Sequence, residues 1–242
     1  MKIQFWPRDD AANLFPPVPA KKCMPSWFKE SGVAVPGHKH KITAADMMHD
    51  PSVQLSTIKK CPPATDFMTS GYIIRNFIDI MMTQKWNEDT KTEEVACYHN
   101  TRIGKPWIER HRYGQFPGVH PKKEVMKMTG AWHIKTPPGY SCLIYQPFYL
   151  MEKRWQFLPA IVDTDTYTNP ISFPFILPDS KEEAKEIYMD AGTPLVCIMP
   201  FKRDDWEMEI TQEPKEDYVT RVMRTAWHDI YKRFFHKKKV FK

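Results

Sequence analysis

Four turn-and-strand signals follow one another between residues 69 and 206: Ser70-Gly71-Tyr72, Pro137-Pro138-Gly139-Tyr140, Val162-Asp163-Thr164-Asp165-Thr166-Tyr167 and Ala191-Gly192-Thr193-Pro194. Glycine and proline at such places punctuate short strands with tight turns. Twenty-two prolines stand against nine glycines. Proline fixes φ and removes a backbone donor, so much of the chain must run as extended segments and turns rather than helices. Eight tryptophans and fourteen phenylalanines give the chain ample apolar surface to bury, which argues against disorder. A chain of 242 residues can close one large core, and mainly β folds of this length often form a single domain.

Three regions are expected along the chain. Residues 1–60 read as an extended, proline-rich arm with one strand, since Ile3 and Phe5 alternate with Lys2 and Gln4 before Pro7, Pro16, Pro17, Pro19 and Pro25 interrupt any regular element. Trp27 and Phe28 within this arm are candidate partner-contact residues, because large aromatics on an arm dock into grooves. Residues 61–210 read as the mainly β core. Strands are expected around 53–58, 72–74, 77–80, 95–98, 132–134, 141–145, 157–162, 171–177 and 195–201, with 84–94 as a polar hairpin tip or loop and 100–123 as a long irregular connection. Ser180-Lys181-Glu182-Glu183 has capping-box spacing that would start a helical turn or two before Ile187. Residues 211–242 read as a C-terminal amphipathic helix with a basic tail: Pro214 suits a first turn, and Tyr218, Val222, Trp227, Ile230, Tyr231 and Phe234 recur at three-to-four spacing.

The ordered segments resemble the motifs of the dUTPase and dCTP-deaminase superfamily, which implies a β-clip-like fold over about half of the chain. Ser70-Gly71-Tyr72-Ile73-Ile74 is similar to that superfamily's first motif, and Pro137-Pro138-Gly139-Tyr140 with Ser141-Cys142-Leu143-Ile144 to the turn and strand leading into its second. Ala160-Ile161-Val162-Asp163-Thr164-Asp165-Thr166-Tyr167 resembles the third, and Ala191-Gly192-Thr193-Pro194 with Leu195-Val196-Cys197-Ile198 the fourth. The resemblance implies a nucleotide-binding set of Gly71, Tyr72, Asp163, Asp165 and Tyr167, with Mg2+ as its cofactor. The departures run the other way. The first-motif acid falls on Ile73, the phosphate-gripping Arg-Ser pair on Tyr145-Gln146-Pro147-Phe148, the fourth-motif glutamine on Cys197, and the glycine-rich lid is replaced by an aromatic, lysine-rich end. Phosphate and metal sites need cationic or backbone N–H donors and carboxylates respectively, and these positions lack them. The run from Thr136 to Arg203 and the lysine-rich ending also resemble a family of tailed-phage proteins, marine T4-like ones included, which implies a phage origin.

Other chemistry finds little footing. Cys23, Cys61, Cys97, Cys142 and Cys197 are scattered and odd in number, which favours reduced thiols over a disulfide framework or a zinc site. His38 and His40 lack the acids a metal site would add, so no metal ligand is expected. Cys97 and His99 fall on one strand face, but a buried structural thiol is the simpler reading. The charge of +6 is concentrated at the end, where residues 232–242 hold six Lys or Arg and no acid. That tail, with Lys237, Lys238 and Lys239 as contact residues, reads as a solvated end or as an anchor for an acidic partner or nucleic acid. No signal-peptide pattern and no apolar run of membrane-spanning length occurs, so a host-cytoplasmic or virion location is expected, with no membrane partner.

Together these features predict a non-catalytic structural or interaction protein, phage-encoded and a candidate virion component, with protein partners that include further copies of itself and with no cofactor. A divergent nucleotide hydrolase or deaminase is the alternative. Nucleic-acid binding through the tail is another.

Overall fold

The computed structural model describes residues 1–33, 57–99, 108–111, 115–118, 123–179, 185–212 and 231–242. The described residues are mainly β, as expected from the turn signals. By their contacts the residues divide into two compact units: Met1–Cys23 with Gly71–Arg203, and Met24–Ser70 with Asp204–Lys242. The boundaries expected at residues 60 and 210 therefore move. Residues 1–23 are woven into the β unit instead of standing out as an arm, because their strands find partners far along the chain.

The strands of the β unit are β1 (Gln4–Pro7), β2 (Val18–Pro19), β3 (Tyr72–Arg75), β4 (Ile80–Asn87), β5 (Thr92–His99), β6 (Ile108–Arg110), β7 (Met126–Thr129), β8 (Trp132–Lys135), β9 (Tyr140–Tyr145), β10 (Gln156–Phe157), β11 (Ala160–Val162), β12 (Ser172–Ile176), β13 (Lys185–Met189) and β14 (Pro194–Lys202). Among the described residues they form antiparallel sheets in the orders β11-β9-β14-β3-β2, β10-β12-β7-β6, β13-β4-β5 and β1-β8. In the five-stranded sheet β14 lies between β9 and β3, with Ile198 opposite Ile144 on one side and Tyr72 on the other. Leu195, Val196, Cys197 and Ile198 are all buried, so this central strand reads as a continuous apolar run and not as an alternation. Ile74, Met82, Ile134, Phe157, Phe175 and Ile198 belong to one core, in which the Phe157 ring stands 5.3 Å from that of Phe175.

Two turns of the sequence pattern have clear physical reasons. In 137–140 the Tyr140 N–H donates to the Pro137 carbonyl across 3.3 Å, with Pro138 at the second position and Gly139 at φ +81° in the third. That is the residue pattern a type II turn demands. The turn before β14 is pinned by buried Asn76, whose side-chain amide donates to the carbonyl of Met189 (2.8 Å), while its backbone carbonyl accepts from Gly192 N–H (2.7 Å).

Several expectations need correction. The 84–94 stretch is mostly ladder: β4 and β5 pair from Ile80–His99 to Asn87–Thr92, leaving only residues 88–91 at the tip. Cross-strand pairs such as Lys85 with Glu94 satisfy polar residues that look loop-like in sequence. Ile108–Arg110 is a strand inside the expected irregular connection, the rest of which falls partly outside the described residues. Residues 185–189 form β13, not a helix leading to Ile187, and the capping-box residues themselves lie outside the described set.

In the second unit, α1 (Ser26–Glu30) and α2 (Pro62–Thr69) are helices where an arm and a proline break were expected. Pro62 and Pro63 occupy the first turn of α2, where a missing N–H costs nothing, so they start a helix instead of ending a strand. Ile58, expected in a strand, sits in a 3-10 turn (Ile58–Lys60), and Val53 and Leu55 lie outside the described residues. The expected C-terminal helix also lies mostly outside them, except for a π-helical turn at Tyr231–Phe235. Among the described residues no helix is long and apolar enough to cross a membrane.

Candidate functional site

The acids singled out by the sequence, Asp163 and Asp165, sit in the turn that leaves β11. Tyr167 N–H closes that turn on the Asp163 carbonyl at 2.8 Å. Because Val162 is opposite Cys142, Asp163 falls beside Ser141 at the start of β9, and the Ser141 hydroxyl donates to it across 2.6 Å. On the far side of β9 runs β14, whose end carries Arg203; its backbone N–H donates to the Gly139 carbonyl at 2.9 Å. Sheet order thus brings Arg203 and the two acids together around Ser141.

The guanidinium of Arg203 grips both carboxylates. It donates to Asp165 Oδ1 at 2.9 Å, to Asp165 Oδ2, to Asp163 Oδ1 at 3.2 Å and to Ser141 Oγ at 3.0 Å. Gly139 N–H adds a bond to Asp165 Oδ2 at 2.8 Å. The side chain of Asp165 is 5% exposed, so a two-pronged charged pair there is held in one geometry. The Arg203 bond, helped by Gly139, lowers the Asp165 carboxyl to about 2. Behind the cluster, Thr164 Oγ1 lies 2.8 Å from Thr136 Oγ1 and 3.2 Å from Cys142 Sγ, in a buried row. Burial pushes the Cys142 thiol up to about 11.

A divalent cation would need carboxylate oxygens that Arg203 already holds, and the residues present do not fit Mg2+ in this arrangement. Among the described residues no three His, Cys, Asp or Glu side chains converge as a metal site.

The other half of the implied nucleotide set lies elsewhere. Tyr72, Ile198, Ile144 and Ala160 form one row across β3, β14, β9 and β11. Three inter-strand steps put Tyr72 roughly 14 Å from the β11 backbone. Gly71, Tyr72 and the Asp163–Asp165 pair are therefore not brought together within one chain. Gly71 has its own structural reason. Its φ is +85°, and a Cβ there would stand 2.6 Å from the Ile198 carbonyl oxygen, so only glycine lets the chain approach β14. Tyr72 is half-buried with its ring edge-on to Phe5 at 5.5 Å, and burial raises its hydroxyl. Tyr167 is exposed.

The expected contact residues are redistributed as well. Phe28 is buried, with Lys59 Nζ 5.9 Å above its ring, and Trp27 is half-buried against it; neither is a free docking aromatic. Lys239 is tied to Asp66 on α2 at 2.6 Å, and His236 Nε2 reaches the same carboxylate at 2.9 Å. Burial alone would raise the Asp66 carboxyl, but these partners outweigh it and lower it. Lys237 and Lys238 remain exposed. Cys97 is no activated nucleophile: burial pushes its thiol up to about 11. His38 and His40 lie outside the described residues. Sequence reasoning missed Arg203 as the partner of the two acids, although Phe201-Lys202-Arg203 at a strand end offered a cation one sheet row away.

No family model matches the sequence, and no curated protein matches it. Among solved structures, the native dUTPase of EIAV is 10% identical, with a TM-score of 0.30 over 56% of this chain and 98% of that one. A point mutant of the dUTPase of phage 80α is 9% identical, with a TM-score of 0.35 over 88% of this chain and 98% of that one. At these scores the likeness carries nothing about activity, ligand or assembly.

Proposed function

We propose that this chain is a non-catalytic structural or interaction protein, phage-encoded on the resemblance of its 136–203 run, and a component of the virion. One observation carries the non-catalytic part: Arg203 of the same chain occupies the two acids that a nucleotide-processing site would need, with Ser141 and Gly139 completing their shell. A clamp of this kind fastens the turns before β9 and after β11 to the end of β14. Asp165 gives both its oxygens to Arg203, and a carboxyl held well below its ordinary range is a weak general base.

The test is direct. Purified protein is incubated with dUTP, dCTP and their deoxynucleotide relatives with Mg2+, product formation is followed by chromatography, and melting is recorded with each ligand. A ligand at a hundred times its Kd adds about 2.7 kcal/mol to the folded state, so binding would be plain in the melting curves. The expected result is neither turnover nor a shift. Turnover of any of them overturns the proposal.

A further inference from the structure

The outward face of the β1–β8 ribbon carries two aromatic rings set side by side. Register places Gln4 opposite Lys135, Phe5 opposite Ile134 and Trp6 opposite His133. Alternate residues of a strand share a face, so Phe5 and Ile134 turn to the core while Gln4, Trp6, His133 and Lys135 turn away from it. The indole of Trp6 and the imidazole of His133 are parallel to within 3°, with centroids 5.3 Å apart, and Trp6 is 37% exposed. His133 is fixed through Nδ1, which donates to the Thr168 carbonyl at 2.7 Å, since a carbonyl can only accept. Thr136 N–H reaches the Thr164 carbonyl at 3.2 Å. The 164–168 turn therefore borders β8, with Thr166 and Tyr167 exposed on it.

Charge selects the occupant. Arg8 N–H donates to the Ala131 carbonyl at 2.8 Å, which carries the ladder one pair past Pro7. Outward positions thus read Lys2, Gln4, Trp6 and Arg8 on one strand and Ala131, His133 and Lys135 on the other, with three strong bases and no acid. Lys2 and Lys135 are exposed. Asp9 turns its carboxylate back to Ala11 N–H at 2.8 Å, and Asp163 and Asp165 are held by Arg203. Other exposed apolar patches lack this cationic margin. Beside Phe148 and Met151, Glu152 takes up Arg154, and Trp206, Met208 and Ile210 stand among the five acids of residues 204–213. A cross-strand aromatic pair also steadies the ribbon, but that role asks for neither an exposed indole nor flanking cations.

We propose that the outward face of β1 and β8 binds single-stranded nucleic acid. A base stacks on the Trp6–His133 pair, and Lys2 and Lys135 hold the phosphates on either side of it. Every base has a π-face, so such a platform tolerates any sequence, and a duplex, whose bases are stacked on one another, is a poor ligand. From Lys2 to Arg8 the strand runs about 20 Å, the length of several nucleotides. The proposal gives the interaction-protein reading a partner and rests on that reading.

The experiment follows the fluorescence anisotropy of labelled dT15, U15 and a 15-base-pair duplex with the full chain over a series of salt concentrations. It is repeated with Trp6→Ala, with Lys2→Gln/Lys135→Gln and with Lys237→Gln/Lys238→Gln, each checked by circular dichroism. Binding of dT15 or U15 is expected to exceed that of the duplex, and the tighter of the two names the strand. Trp6→Ala is expected to weaken it at least fivefold by loss of stacking. Lys2→Gln/Lys135→Gln is expected to lower the slope of log affinity against log salt by about 1.4, roughly 0.7 for each phosphate contact. That variant alters only exposed side chains, so it decides the matter even if Trp6→Ala fails to fold. Absence of binding at 50 mM salt overturns the proposal, as does preference for the duplex or a salt slope indifferent to Lys2→Gln/Lys135→Gln. Binding lost in Lys237→Gln/Lys238→Gln and kept in Trp6→Ala overturns it too, because the strand then lies on the tail. The nucleotide assay scores the underlying reading separately: neither turnover nor strand binding removes this surface alone, and turnover removes the non-catalytic reading whatever the anisotropy.

Discussion

Two neighbouring stretches of chain, 194–202 and 204–212, are both rich in apolar side chains and differ in what surrounds them. In β14 the residues Leu195 to Ile198 are buried without a gap, since β9 and β3 flank the strand and the core covers it. Past Arg203 the row Trp206, Met208 and Ile210 is exposed. Apolar composition alone did not decide burial; a partner on each side did. Arg203 is the joint, with its side chain fastened to the turn after β11 and its backbone to the turn before β9.

The contrast can be broken at four places. Ile198→Ala, in the fully buried row, is expected to cost about 2–5 kcal/mol by loss of transfer energy and by the cavity left behind; urea unfolding measures it. Gly71→Ala forces a positive φ on alanine and drives a Cβ against the Ile198 carbonyl, with an expected cost of about 1–3 kcal/mol in the same assay.

Asp165→Asn tests the joint through pH. The folded carboxyl sits at about 2 against 3.8 when unpaired, so its stabilising effect is present in full above about pH 4 and is lost as pH falls towards 2. The melting temperature of the variant should lie below that of the unmodified protein at pH 6, and the gap should close over that acid window. A gap that persisted at pH 2 would show that the pair does not hold the turn. Trp206→Ser should change stability by under about 0.5 kcal/mol, as exposed substitutions do. A larger loss would mean that the indole is covered.

Much of the β unit was legible because its turns are written in residues with few other uses. Gly71, Gly139 and Gly192 all take positive φ, and each lies in a stretch that the sequence marks as a turn. The β8, β9, β12 and β14 strands follow from apolar runs between such turns. What escaped has local chemistry that tertiary context overrules. Pro62 and Pro63 suit a strand break or a helix start equally well, and Lys85, Glu93 and Glu94 look like loop residues until a facing strand pairs them. The candidate site was half legible. Asp163 and Asp165 were found from a motif, but Arg203 reaches them only because β9 lies between β11 and β14, a sheet order no local pattern encodes.

The pairing of β1 with β8 and of β2 with β3 has a consequence for how the protein is made. During synthesis the first strand leaves the ribosome long before Trp132–Lys135 exists to receive it, and β9 must wait further for β14. Ladders between such remote segments form slowly and expose sticky edges in the interim. Nascent chains halted before residue 194 should therefore need chaperone help, and removing the opening dozen residues should harm solubility more than their short length suggests.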